Sequence, residues 1–391
     1  MIGVAEAKRI LGQLNLPRRK IKIPISQALG YFLAEPVFSK INVPSFDNSA
    51  MDGYAFFWQE NLNSLRIKGE ISAGSTMNLE LKNGEAVRIF TGAPMPKGAD
   101  SVIMQEKVER KGDEIFFDSS EVEKGKHVRY QGSQCRAGDR IAEEGSKITP
   151  GMVSLLASVG VEHVEVWEFP GISLIITGNE IKDLGEELNP GQIYNANGPA
   201  LESWLRQLGI WQVNQIKVRD EKEAVIQGLK EAMESSDLVI FTGGISVGDY
   251  DFVKEAVEAN QVQELFYKLK QRPGKPLYVG QKAGKLVFGL PGNPGSVLSC
   301  FMQYVKPLIR TWQGEPTAWE AYIKVPLADD FEKKIPLTQF LKAEMKEEKA
   351  YILQGQESFN LIAFGLADGF VEIPEEIEFV QAGEKVKFFP W

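Results

Sequence analysis

Two carboxylates, Asp249 and Asp251, close a glycine-rich run, "TGGISVGDYD", that follows the short apolar stretch from Asp237 to Phe241. The pattern predicts a central strand that delivers a loop at its carboxyl end, the place where open α/β sheets bind ligands. Gly243 and Gly248 have the glycine spacing of a phosphate-cradling P-loop, but Asp249 and Tyr250 stand where lysine and a hydroxyl residue belong. A P-loop nucleoside triphosphatase is thereby excluded. Carboxylates beside a phosphate-sized nest would repel an anion unless a divalent cation lay between them, which suggests a phosphate ester bridged by Mg2+. The same residues also read as a tight turn whose aspartates cap a helix starting at Phe252.

Three more loops carry candidate chemistry. Glu180 lies in "TGNEI", directly after the strand-like "GISLII", and suits either a metal ligand or a strand-end turn with a surface acid. Asp220 in "KVRDE" precedes a helical stretch, where an N-cap is the simpler reading. Arg272 and Lys275 in "QRPGKPLYVG" supply positive charge, and Gly289, Gly292 and Gly295 in "GLPGNPGS" lead into a helix whose N-terminus can bind an anion. Pro291 and Pro294 stiffen that loop around Asn293. Carboxylates and cations gathered on one sheet edge suit a magnesium-bridged phosphate beside a second anion. They do not name the organic part of the ligand.

The elements that must position these loops follow from the pattern of the whole chain. At 391 residues it should hold more than one domain. Forty-four Lys and Arg against 53 Asp and Glu give a net charge of -9, which argues against broad binding to nucleic acid or an anionic membrane. Cys135 and Cys300 are too few for a disulfide framework or a cysteine zinc cluster and fit a reducing, cytoplasmic compartment. With only His127 and His163 as histidines, carboxylates must carry the chemistry. Val4, Ala7, Ile10, Leu11 and Leu14 mark one face of an N-terminal helix, without the continuous apolar core of a signal peptide, and no segment is apolar enough to span a membrane.

Residues 1–45 and 126–168 read as one discontinuous helical and linking domain, in which the helix of "TPGMVSLLASVG" packs back near the N-terminal helix. Residues 46–125 read as an inserted β-rich domain, 169–314 as alternating strand and helix, and 315–391 as short strands. The expected fold class is an α/β multidomain protein. It has a central, mostly parallel α/β domain, the β-rich insert and a small C-terminal β-barrel or sandwich.

The stretches "PSFDNSAMDGYA", "GEAVRIFTGAPMPKGADSVIMQE", "GQIYNANG", "TGGISVGDYD", "RPGKP" and "GLPGNPGSV" are long and distinctive. Through them the chain resembles, nearly end to end, the molybdopterin molybdenumtransferase family, which comprises bacterial MoeA and the E-domain of gephyrin. The resemblance implies insertion of molybdate into the dithiolene of adenylylated molybdopterin, with Mg2+-dependent cleavage of the adenylate and release of molybdenum cofactor and AMP. By position it makes Asp52, Thr91, Glu180, Asp220 and Asp251 catalytic, with Glu180 and Asp251 as metal ligands. Arg272, Lys275, Pro291 and Pro294 match the pterin and molybdate side, and Gly243, Gly244, Ser246, Gly248, Asp249, Asn293, Ser296 and Ser358 complete the substrate-binding set. Without the resemblance, Asp52 reads as a turn residue before "YAFF".

The family further implies a homodimer in which the β-rich domain of one subunit completes the molybdopterin-binding cleft of the other, and a molybdopterin adenylyltransferase as partner. Three positions depart from the common pattern: Asn179 replaces aspartate, Gln134 replaces an acid and Arg272 replaces lysine. They imply a less anionic metal shell or a paralogue of altered efficiency. Two other functions fit parts of the chain. One is molybdopterin adenylyltransferase, disfavoured by the extra β-rich domains; the other is a dimeric scaffold of the gephyrin E-domain type, disfavoured because no adenylyltransferase domain or long linker accompanies it.

Overall fold

The structure is a computed structural model and describes residues 1–75, 79–245 and 252–391. The chain divides into two compact units, one of Met1–Ile21, Gly30–Ala34 and Glu165–Trp391, the other of Lys22–Leu29 and Glu35–Val164.

The first unit is organised by six strands: β1 (Ile172–Thr177), β2 (Asn214–Val218), β3 (Leu238–Thr242), β4 (Gln263–Tyr267), β5 (Tyr278–Lys282) and β6 (Lys285–Leu290). Their order is β2-β1-β3-β6-β5-β4. The pairs β2/β1, β1/β3 and β3/β6 are parallel, and the β6–β5–β4 edge is antiparallel. Every residue of β1 and β3 is buried, as parallel strands covered on both faces require. Side chains alternate between two cores: Leu174, Ile240 and Phe288 point into one, while Ile175, Val239, Phe241 and Val287 enter the other. From β1 the chain runs outward to β2 and then returns to β3 on the opposite side, so the loops at their carboxyl ends diverge and leave a crevice.

Helix Val4–Gly12 buries Val4, Ala7 and Leu11 against the Leu174 face, the stripe that its apolar spacing predicts. It therefore belongs with the α/β sheet, whereas helix Pro150–Ser158 falls in the second unit. The segments 1–45 and 126–168, expected together, are thus shared between the two units. A continuous helical run follows β6, α-helical over Pro294–Cys300 and Lys306–Trp312 and π-helical over Phe301–Val305. Pro307 has no N–H for the carbonyl of Gln303, which is one physical cause of such a wide turn. The C-terminal strands form a sheet in the order Gln271–Arg272, Thr338–Lys346, Gly369–Ile373, Lys385–Pro390 and Ile323–Pro326. Gln271–Arg272 pairs in parallel with Thr338 and Gln339, so the "RPGKP" loop is tied to this sheet.

The second unit carries a six-stranded sheet in the order Ser101–Met104, Gly53–Phe56, Glu85–Ile89, Ser64–Ile71, Glu114–Phe116 and Glu109–Lys111. Tyr54 and Phe56 pack into one core and Ala55 into another, the period of two expected of a strand covered on both faces. Thr149 caps the Pro150–Ser158 helix by accepting the Met152 N–H at 3.2 Å.

Candidate active site

The crevice at the carboxyl ends of β1, β2, β3 and β6 holds a cavity of about 470 Å³. After β1 the chain passes through Gly178, at φ +138°, to Asn179 and Glu180. This loop is fixed from outside: the Glu180 carbonyl accepts the Ile193 N–H at 2.9 Å and the Lys182 carbonyl accepts the Asn195 N–H at 2.9 Å. After β3 come Gly243 (φ +100°) and Gly244 (φ +70°), and a Cβ on Gly243 would stand 3.0 Å from Thr177 Oγ1. Only glycine lets the two strand ends approach so closely. Asp220, after β2, donates its N–H to Asn179 Oδ1 at 3.3 Å. Asn179 thus joins two walls of the cavity.

Three polar atoms lining this cavity are buried without a hydrogen-bond partner among the described residues: Asp220 Oδ1, Asn197 Oδ1 and Thr242 Oγ1. Asn197 is held in place because its Nδ2 donates to the Gly292 carbonyl at 2.9 Å. Burial, and then the charge of Glu180, pushes the Asp220 carboxyl above the ordinary carboxylate range. Two hard oxygen donors that repel each other, one of them orphaned, fit a divalent cation such as Mg2+. No group of three or more His, Cys, Asp or Glu residues is placed to hold a metal ion among the described residues. Ser246, Gly248, Asp249 and Asp251 lie outside the described residues.

A second cavity, of about 540 Å³, shares Pro276 and Ser296 with the first and is lined by Arg272, Lys275 and Ser358. Gln271, fully buried, shapes the "RPGKP" loop: its Nε2 donates to the carbonyls of Pro273 at 3.0 Å and Gly274 at 3.2 Å, and its Oε1 accepts from the Tyr304 hydroxyl. Arg272 and Lys275 are left exposed. Ser358 is presented by a loop that Lys342 gathers, its Nζ donating to the carbonyls of Gly355 at 2.6 Å, Glu357 at 3.2 Å and Asn360 at 3.1 Å. The Ser358 carbonyl accepts the Gly295 N–H at 2.8 Å, and a Cβ on Gly295 would sit 2.5 Å from that oxygen.

The N–H groups of Ser296 and Val297 both go to the Asn293 carbonyl. The helix after "GLPGNPGS" therefore has its first N–H groups committed within the protein. The loop lines the first cavity with Pro291, Asn293, Pro294 and Ser296 instead of offering a free helix terminus.

Three family models cover most of the chain: the MoeA N-terminal region (domain I and II) matches residues 2–160, the family described as "Probable molybdopterin binding domain" matches 173–311, and the MoeA C-terminal region (domain IV) matches 324–391. The molybdopterin molybdenumtransferase of Staphylococcus epidermidis is 34% identical over 98% of this chain and 94% of its own length. The chain belongs to the molybdopterin molybdenumtransferase family. The Staphylococcus aureus member is 33% identical over 98% of this chain and 94% of its own length. Among solved structures, a molybdopterin biosynthesis MoeA protein from Pyrococcus horikoshii superimposes with a TM-score of 0.83 at 32% identity, covering 100% of this chain and 99% of that one. A second from the same organism gives 0.85 at 27% identity, with 100% of both chains covered.

The remaining two family-matched residues lie in the second unit and meet each other. Asp52 precedes strand Gly53–Phe56, and its Oδ1 accepts both the N–H and the hydroxyl of Thr91, each at 2.8 Å. The N–H bond, then the hydroxyl bond, and more weakly the charge of Arg88, hold this exposed carboxyl below the ordinary range. Among the described residues the structure thus brings Glu180, Asp220, Gly243, Gly244, Pro291, Asn293, Pro294 and Ser296 to one cavity, and Arg272, Lys275, Ser296 and Ser358 to its neighbour. Sequence reasoning missed Asn197 and Thr242 as polar walls, and Gln271 and Lys342 as supports. The repeated asparagines of "YNANG" ahead of a helix were the available signal for Asn197.

Proposed function

We propose that this chain inserts molybdenum into molybdopterin, taking molybdate and adenylylated molybdopterin and releasing molybdenum cofactor and AMP. The observation that carries the reading is the cleft in which Asp220 Oδ1, Asn197 Oδ1 and Thr242 Oγ1 are buried without partners among the described residues, beside a pocket edged by Arg272 and Lys275. Orphaned buried polar atoms are costly in a folded protein, so a cleft that collects three of them suits a polar ligand.

Glu180 and Asp220, with Asp251 by family position, would hold Mg2+. When bound, it would neutralise charge on the phosphate and polarise it toward cleavage. The Thr242 hydroxyl is placed to donate to a phosphate oxygen, and Asn197 Oδ1 to accept from a hydroxyl or amino group of the adenylate. Asp220 keeps a proton to higher pH than an exposed aspartate and gives it up when a cation neutralises its neighbourhood. Arg272 and Lys275 supply the charge that a pterin phosphate or the molybdate oxyanion needs. By the family resemblance, the protein works in the cytoplasm as a homodimer, Asp52 and Thr91 of one copy complete the cleft of the other, and a molybdopterin adenylyltransferase supplies the substrate.

Product analysis tests the proposal. Incubated with adenylylated molybdopterin, Mg2+ and molybdate, the protein should consume the adenylate and yield AMP with metal-loaded pterin. Formation of adenylylated pterin from ATP and molybdopterin would favour an adenylyltransferase instead, and no turnover in either direction would remove the enzymatic reading.

A further inference from the structure

The loop that carries Arg272 and Lys275 rests on a stripe of the helical run. Ser296, Cys300 and Tyr304 recur at every fourth position along that run and so share a face. Ser296 lines both cavities. At Gly274, φ +83°, a Cβ would stand 2.4 Å from Cys300 Sγ and 2.9 Å from Gln271 Nε2, so the loop backbone lies directly on these two buried side chains. The Cys300 thiol donates to the Gly274 carbonyl at 3.6 Å. The Lys275 carbonyl closes the mouth of the loop by accepting the N–H groups of Leu269 at 2.8 Å and Leu277 at 3.1 Å.

Between these points the carbonyls of Pro273 and Gly274 turn inward and share one donor group, Nε2 of Gln271. They fix which end of the amide faces the loop, because a flipped amide would set oxygen against oxygen. Oε1 therefore points away from the loop, and there the Tyr304 hydroxyl donates to it. Gln271 and Tyr304 are both 0% exposed, so solvent cannot take the place of that donor. Burial raises the Tyr304 phenol well above its ordinary value of 10, which keeps the proton on the hydroxyl across the neutral range.

We propose that Tyr304 is a positioning residue for the anion pocket: acting through Gln271, it holds the Pro273–Gly274 backbone, and with it the flanking Arg272 and Lys275, in place for an oxyanion. The role rests on the reading that these two cations bind molybdate or a pterin phosphate. Both side chains are exposed, so their placement depends on the backbone between them. A Gln271 amide left without a donor at Oε1 would turn to find one, and Nε2 would then leave the two loop carbonyls.

The test compares the parent with Tyr304→Phe, which removes the hydroxyl and keeps the ring. Amide hydrogen exchange of the full chain without ligand should rise about 10-fold over residues 269–277 and stay unchanged over β1. Calorimetric titration with molybdate alone should show an affinity about 10-fold weaker, and KM for molybdate in AMP release should rise by the same factor with kcat within about twofold of the parent. Leu308→Ala, buried one turn further along the helical run, is the control for simple destabilisation: its melting midpoint should fall at least as far while its molybdate affinity holds. Should Tyr304→Phe fail to fold, Gln271→Met, close in shape and without the amide, takes its place with the same expected losses. A folded variant with parental exchange over 269–277, or with the parent's measured molybdate affinity, would overturn the proposal. Faster exchange there, with no molybdate bound by the parent, would instead overturn the anion role of Arg272 and Lys275 and leave the Tyr304 clamp standing.

Discussion

Asp220 concentrates the conflict between binding and stability. Its carboxyl is pushed up by burial and by Glu180, so its ionised form weighs against the folded state at neutral pH and not below its ordinary value of 3.8, where folded and unfolded chains both carry the proton. Asp220→Asn should lose most adenylate cleavage and yet melt no lower, and by this sign higher, than the parent at pH 7, with the gap closing as the pH falls toward 4. Mg2+ should raise the melting midpoint of the parent and leave that of the variant almost unmoved. Thr91 acts in the opposite direction on Asp52, since its N–H and hydroxyl both favour the carboxylate. Thr91→Val keeps the N–H and removes the hydroxyl, so the Asp52 pKa should rise. If ionised Asp52 serves the reaction, the acid limb of the pH–rate profile should move upward while the alkaline limb stays in place. An unmoved acid limb would remove Asp52 from the chemistry.

At the scale of elements, the second cavity depends on a loop that has little regular structure of its own. Lys342, almost fully buried, replaces absent backbone pairing by donating to three carbonyls of residues 355–360, and this loop in turn clamps Gly295 through the Ser358 carbonyl. Lys342→Met should destabilise the chain by about 3 kcal/mol, read in urea unfolding, because several charge-assisted bonds are lost together. It should also raise KM for the pterin substrate more than it lowers kcat; an unchanged KM would confine Lys342 to stability.

Such supports were not legible in the sequence, where Lys342 and Gln271 look like ordinary polar residues of short strands. The α/β sheet was legible, because β1, β3 and β6 are continuous apolar runs ending at glycine or proline, as was the N-terminal helix from its spaced apolar face. The placement of that helix on the sheet was not, since local pattern does not say which surface a stripe will meet. Asp220 reads as a simple cap from its neighbours, and its place in the cavity emerges only where Asn179, 41 positions earlier in the chain, and Glu180 approach it from the loop after another strand, a separation no local motif spans.

At the scale of the whole molecule, the proposed shared cleft makes a prediction about mixed assemblies. Asp52→Ala and Asp220→Ala should each inactivate their own homodimer, because every cleft then lacks one group. A doubly tagged heterodimer of the two would contain one cleft with both defects and one intact, and should recover about half of the parental activity. A folded, confirmed heterodimer without activity would reject sharing between copies. The central claim, that the carboxyl-edge cleft turns over a pterin adenylate, is tested most directly by single-turnover AMP release with Mg2+ and molybdate from the parent and from Asp220→Asn. The parent should release close to one AMP per cleft and the variant should do so at a rate about 100-fold lower; no AMP from the parent, or equal rates from both, would contradict turnover in this cleft.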